Sequence, residues 1–476
     1  MPRVGASSCL SIADAQERLN SAIEESPLAT TSIPLASESQ QESILRPDVR
    51  WPAWATILFR FVVAYVLLYA LPFPLGKIRW VSKIADLYSE VWHEIVPWVG
   101  AHVLHLSKPI TYFVSGSGDK TSDWVQLFCQ LVLAVAATVL WSVIDWRRKS
   151  YALLHAWMRV YLATYLGVTM FGYGLAKVIP SQMPYPILSH MMEPFGYQSP
   201  MGLLWSSIGA STAYEIFTGV VETVAAILFF IPRLTALAAL ATIAAIGNVF
   251  MLNMCYDIPV KQFSAHLVMF SALLLIPDLK RLRDFFVLNR ATEPERPVPL
   301  FRRRILNYAV WGARLALAVT AIYGGLTTYG KNYSSVKDLP RSNPMYGIWA
   351  VDQFTLDGKE YPPLTTDTQR WRRMIFDLKT SAAIQDMEGV PLRDSTGAPI
   401  RFVPTVDQKK KTLALKNPTD SNWSFAAKYD RPQPGLMTMD AQWNGHTLHL
   451  TLRREEPRFF LSTRGFHWVN ETSLNR

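Results

Sequence analysis

The chain has 476 residues, of which half are hydrophobic, 12% aromatic and only 18% charged. That length exceeds one ordinary domain, and that apolar content is high for a soluble protein. The formal charge of +10 does not point to nucleic acid. Eight basic residues (Lys280, Arg281, Arg283, Arg290, Arg296, Arg302, Arg303, Arg304) crowd between two apolar runs, where the positive-inside bias of membrane proteins accounts for them.

Residues 1–49 are rich in Ser, Glu, Ala and Gln, with three basic and seven acidic residues. They lack the apolar core of a signal peptide and read as a disordered cytoplasmic tail with one short helix around Ser11 to Glu25. Apolar runs then set seven spans, most of them long enough to cross a hydrocarbon core about 30 Å thick. These are about Trp54 to Leu71, Trp124 to Ile144, Leu153 to Tyr173 continuing toward Lys177, Leu203 to Phe230, Leu234 to Asn253, Phe263 to Ile276 (short for a span) and Leu306 to Leu326. Between the first two lies a segment with Trp80, Trp92, Trp98 and Tyr112 that suits an amphipathic stretch along the membrane surface. The basic loops 145–150 and 280–304 fall on one side, which places the amino terminus in the cytoplasm and the carboxyl terminus outside the plasma membrane.

From about Ser342 the pattern changes to period two. Arg372 to Leu378, Thr412 to Leu415, Ser424 to Tyr429, Met437 to Trp443 and Thr447 to Leu452 read as half-buried strands. Asn444-Gly445 marks a tight hairpin, because a type I′ turn needs positive φ at both central residues. The expected architecture is a mainly α-helical polytopic bundle with a C-terminal extracytoplasmic antiparallel β barrel or sandwich. Its boundaries are 1–49 tail, 50–330 bundle and 331–476 β-rich domain. Gly347-Ile348-Trp349 on the first strand resembles the opening of lipocalin-like barrels.

Chemistry concentrates where polar groups enter apolar sequence, since an ionisable side chain at membrane depth costs roughly 2.5–3.5 kcal/mol on insertion scales. Asn248, Asn253, Asp257, Lys261 and His266 thread the fifth and sixth spans around Pro259. Two readings stay open. Asp257 and Lys261 form a structural ion pair between spans, or Asp257, Lys261 and His266 form an acid/base and proton-relay site. Glu215 and Glu222 lie two turns apart on one helix face and should turn inward toward a cation, with Lys177 and Arg60 the candidates. Met170-Phe171-Gly172-Tyr173-Gly174 reads as close helix packing through its two glycines.

Cys9, Cys129 and Cys255 make no C-x-x-C pair, and the latter two read as small core residues. His190, Met191, Met192 and Glu193 make a poor metal site, so no metal is expected. No P-loop, Rossmann fingerprint, nucleophile elbow or H-E-x-x-H is present.

The block Leu252-Asn-Met-Cys-Tyr-Asp-Ile-Pro-Val-Lys-Gln-Phe-Ser-Ala-His266, the run Pro277-Asp278-Leu-Lys-Arg-Leu282, Tyr173-Gly-x-x-Lys177 and the glutamate-bearing fourth span resemble bacterial DoxX-like membrane proteins. The bundle is also similar to the helical part of HTTM proteins. The resemblance spans roughly residues 50–290. It implies a helical membrane bundle, in some members the membrane subunit of a thiosulfate:quinone oxidoreductase. This chain departs from it by its long tail, extra spans and β domain. The resulting expectation is a redox-linked bundle with a quinone as candidate ligand and a redox protein as candidate partner. Asp257, Lys261 and His266 would be catalytic, and Lys177, Glu215, Glu222, Asn253 and Tyr256 would be partner or relay residues. The rival expectation is a non-enzymatic membrane anchor presenting a lipocalin-like binding domain.

Overall fold

The computed structural model describes residues 50–77, 82–112, 116–148, 150–294, 298–337 and 343–472. The helix expected around Ser11 to Glu25 lies outside them. In chain order the helices are α1 (Ala53–Ala70), α2 (Ser82–His102), α3 (Thr121–Ile144), α4 (Ala152–Val178), α5 (Leu188–Met192), α6 (Pro200–Gly209), α7 (Thr212–Phe229), α8 (Thr235–Cys255), α9 (Lys261–Leu275), α10 (Leu279–Phe286), α11 (Arg304–Lys337) and α12 (Phe460–Thr463).

Among the described residues, six stretches are long and apolar enough to cross a membrane: α1, α3, α7, α8 with the turn before it, α9 running on through Phe286, and α11. This is a multi-pass membrane protein. The remaining expected span, α4, forms as a continuous helix of 27 residues but is not among the six. Fifteen of its residues are buried, because it packs against α7, α9 and α11 rather than facing lipid. A helix surrounded by protein can carry His155, Arg159 and Lys177 without exposing them to hydrocarbon. The short sixth run becomes a full crossing because α9 continues through a turn at Ile276–Asp278 into α10.

The fourth expected span, Leu203 to Phe230, is two helices instead. Ser211 stops α6 and starts α7 by accepting a hydrogen bond from Tyr214 N (3.3 Å), a helix-capping geometry. The last helix runs to Lys337, so the boundary expected at residue 330 falls inside it. Its 34 residues span about 51 Å. Arg60, buried in α1, clamps one end of the bundle by donating to Tyr151 Oη (3.0 Å), Ser142 Oγ (3.0 Å) and the Asp145 carbonyl (2.6 Å). Arg159 and Arg281 both pair with the buried Asp278, each at 3.1 Å. Cys129 is buried as expected, but Cys255 is exposed at the end of α8.

Two helices approach at backbone contact. A Cβ built on Gly219 of α7 would sit 2.6 Å from Val178 N and 2.7 Å from Gly174 O of α4; one on Gly174 would meet Thr223 N at 2.8 Å. Only glycine fits such a crossing. Gly172, the other glycine expected to pack closely, has open space beside its Cα.

The C-terminal domain is a near-closed antiparallel barrel. Its strands are β1 (Gly347–Leu356), β2 (Lys359–Glu360), β3 (Arg373–Leu378), β4 (Ser381–Gln385), β5 (Val403–Asp407), β6 (Thr412–Lys416), β7 (Ser424–Gln433), β8 (Leu436–Trp443) and β9 (His446–Glu455). The order around the sheet is β4-β3-β1-β9-β8-β7-β6-β5, with β2 an extension of the β1 turn. Ala382 and Phe402 exchange two backbone hydrogen bonds (2.8 and 2.9 Å), which bring β4 to the start of β5. Asn444 (φ 49°) and Gly445 (φ 88°) form the expected hairpin turn between β8 and β9. Alternate residues point inward, and the interior is filled by Trp371, Phe354, Phe376, Phe425, Met439 and Leu450. A lipocalin-type ligand would have to displace these core side chains, so the expected binding lumen is not built here.

Candidate functional site

The expected acid/base trio is not assembled. Asp257, at positive φ just past α8, has a side chain 86% exposed, and its 2.8 Å pair with Lys261 lies at the surface. Such a pair contributes little, about 0–1 kcal/mol. The chain turns at this point, so the two groups were legible as partners but not as buried ones. Lys261 instead matters through its backbone. Asp119, from the loop before α3, accepts from Lys261 N (2.7 Å) and Gln262 N (3.0 Å) and so caps α9 from a distant segment.

His266 is buried elsewhere, with no hydrogen bond or ion pair to Asp257 or Lys261 among the described residues. Its Nδ1 lies 2.6 Å from the Gln262 carbonyl, which can only accept, so Nδ1 carries the hydrogen. The Tyr65 hydroxyl then donates to Nε2, and Tyr69 stacks on the ring at 3.9 Å between centroids. Tyr256 ends α8, half-buried, away from the cavity described next.

Three of the five relay partners named from sequence, Lys177, Glu222 and Asn253, gather around a different place. Lys177 Nζ lies 2.7 Å from both Glu222 carboxylate oxygens, and both side chains are almost fully buried. The Gly174–Gly219 contact brings α4 and α7 close enough for this pair to form. Glu215, 1% exposed, turns inward and accepts from Met183 N (2.9 Å) rather than meeting a cation. Asn253 donates to Ser264 Oγ (3.0 Å) and ties α8 to α9.

Of these, Lys177, Glu222 and Asn253 wall a cavity of about 410 Å³ bounded by α4, α6, α7, α8 and α9, and Glu215 does not line it. Lys177, Glu222, Tyr173 and Asn253 line it among mostly apolar side chains. Gln182 roofs it. Its Oε1 is buried and accepts no hydrogen bond among the described residues. Trp205 stands in the same wall, its Nε1 donating to the Gln182 carbonyl (3.1 Å). Tyr214 and Phe217 form the rim on the outer face of α7 and are 51% and 61% exposed.

Two structural elements escaped the sequence reading. Arg314, in the middle of the last span, is buried and donates to Thr164 Oγ1 (2.9 Å) and to the Phe229 carbonyl at the end of α7 (2.7 Å). Its signal was available, since a charge inside an apolar run is the same cue that singled out Arg60. The other is the seat of the barrel. Helical region and barrel belong to one compact unit. Buried Asp377 accepts from Ser189 N (3.2 Å), Arg401 donates to Ser189 Oγ (2.6 Å) and Gln385 donates to the Met192 carbonyl (3.0 Å). The barrel thus rests on α5, in the same 179–211 connection that supplies Gln182, Met183 and Trp205 to the cavity.

This seat should be acid-sensitive. Burial, reinforced by the Arg401 charge, pushes His190 down from its ordinary 6.5 to about 4. Unfolded chain takes that proton below pH 6.5 while the folded form resists until about 4, so His190 costs stability as pH falls through that window. Asp377, raised by burial, works the other way, its folded form holding the proton more tightly. His190→Gln should therefore flatten the drop in unfolding temperature between pH 7 and 4.5. An unchanged pH dependence would show that His190 is not neutral in the folded protein.

Comparison with known proteins finds no matching family profile and no similar solved structure. Over 131 residues the chain is 32% identical to the uncharacterized protein YwoB of Bacillus subtilis (strain 168), an alignment covering 26% of this chain and 77% of YwoB. At that identity, over most of the relative's length, this chain belongs through that segment to the family of YwoB.

Proposed function

We propose that the protein is a redox-linked membrane protein of DoxX-like type. Its cavity takes a lipid-soluble ligand with a hydrogen-bonding ring headgroup, of the quinone class. The observation that carries this is a buried ion pair, Lys177–Glu222, set in the wall of an otherwise apolar cavity whose volume lies in the range of small-molecule sites. Lys177 Nζ is a donor for a ring carbonyl, Glu222 an acceptor for the proton of a ring hydroxyl, and Gln182 Oε1 an acceptor still free for a second one. The rim at Tyr214 and Phe217 faces where lipid would lie, which suits entry from the bilayer rather than from water. With the basic loops in the cytoplasm, the cavity and the barrel lie toward the outer surface. Asp257 and Lys261 stand outside this site, and His266 serves the packing of α1 against α9.

Trp205 provides the test. Titrating the detergent-solubilised protein with short-chain ubiquinone and menaquinone should give saturable quenching of tryptophan fluorescence, largely lost in Trp205→Phe. Quenching that stays linear with concentration for both ring types would sink the proposal.

A further inference from the structure

Beyond β9 the chain runs through a segment with an unusual surface. Of residues 460–469, five are large and apolar (Phe460, Leu461, Phe466, Trp468, Val469), none is acidic, and Arg464 and His467 are interleaved among them. All five apolar side chains are exposed, Trp468 at 91%. A cluster this apolar is a contact surface rather than scattered surface hydrophobicity.

Its position indicates what covers it. Phe459, the residue just before, packs with Leu188 and Met192 of α5 and with Ile348, Ile375 and Ala383 of the barrel. Helix α5 lies in the connection that enters α7, and Met183 of that connection is hydrogen-bonded to Glu215 in the first turn of α7. The segment therefore starts where a membrane-crossing helix begins. Exposed aromatics recur at this end of the bundle, with Phe195 on the same connection and Trp124 in the first turn of α3. Trp and Phe mixed with Arg, and free of carboxylates, is the composition that settles at the boundary between lipid headgroups and acyl chains.

We propose that residues 460–469 lie in that boundary and hold the barrel down on the bilayer. The occupant of the apolar surface is the phospholipid of the membrane the bundle crosses. The alternatives, a soluble protein partner or a second copy of the chain, would leave the segment in water or against protein when the purified protein sits in vesicles.

The test uses the full chain with Cys9→Ser and Cys255→Ser, so that buried Cys129 is the remaining native thiol. A polarity-sensitive fluorophore is attached at Trp468→Cys or, separately, at Lys410→Cys. Lys410 is exposed at the end of β5 opposite Arg401, the residue that touches Ser189. Both proteins are reconstituted in phosphatidylcholine vesicles. A side chain lying about 5–10 Å into the boundary should emit at shorter wavelength and be quenched about two-fold or more by shallow nitroxide lipids, with position 410 unaffected. Emission at 468 matching that at 410 would overturn the proposal, and so would a blue shift that nitroxide lipids leave unquenched. Trp468 is too exposed for its replacement to disturb folding.

Discussion

Lys177→Met should lower the stability of the protein by about 3–5 kcal/mol, because it leaves the Glu222 carboxylate buried without a counter-charge. The double variant Lys177→Met/Glu222→Leu should recover most of that loss, since apolar replacement of a whole buried pair is often neutral. Chemical unfolding in detergent reads both. A single variant as stable as the wild type would mean that Glu222 finds water or another partner. The double variant also separates structure from function. It should fold yet bind the quinone probe at least about tenfold more weakly, which is about 1.4 kcal/mol. Unchanged binding would assign the pair to the bundle's architecture alone.

Gly219→Ala is the second large effect. The added methyl meets the backbone of Val178 and Gly174 and the Cβ of Lys177, each at 2.6–2.7 Å, and no rotamer relieves a backbone collision. Overpacking of this kind costs about 1–3 kcal/mol. It should also draw Lys177 away from Glu222, so ligand affinity falls with stability. Gly172→Ala, two residues from Gly174, is the control. It meets nothing within 4 Å, and alanine favours helix over glycine by about 0.5–1 kcal/mol. If both substitutions behave alike in thermal unfolding, the close crossing of α4 and α7 is wrong.

Much of the fold was legible because its signals are local. Apolar runs located the first, second and fifth expected crossings to within a few residues but missed one end of the fourth, sixth and seventh by about three helical turns. Period-two alternation with Asn444-Gly445 located β8 and β9. The short strands β4 and β5 escaped because Ser381–Gln385 is buried at every position and Val403–Asp407 at none, so neither alternates. The site was legible in part. The rule that buried carboxylates need partners correctly turned Glu222 inward to Lys177. It counted Asp257 among the groups at membrane depth although the expected span already ended at Asn253, because helix phase says nothing about where a chain leaves the membrane. Asp119 capping α9 and Asp377 receiving Ser189 were out of reach altogether, being contacts between segments more than a hundred residues apart.

The strand order of the barrel bears on how the protein is made. Strand β1, the first of the domain, has β9 as a neighbour along eight register positions, and β9 also pairs with β8 along its length. The sheet therefore has no centre until its last strand arrives. Until then β1, β3 and β4 meet the meander from β5 to β8 only through the Ala382–Phe402 bridge, and β1 and β8 are left as open edges. Closing them is a long-range event, slow by the standards of local contacts. On a chain made from its amino terminus, the barrel can close only after residue 455 has been synthesised. Through that interval the half-built domain presents its unclosed edges, which are sites for mispairing with other chains.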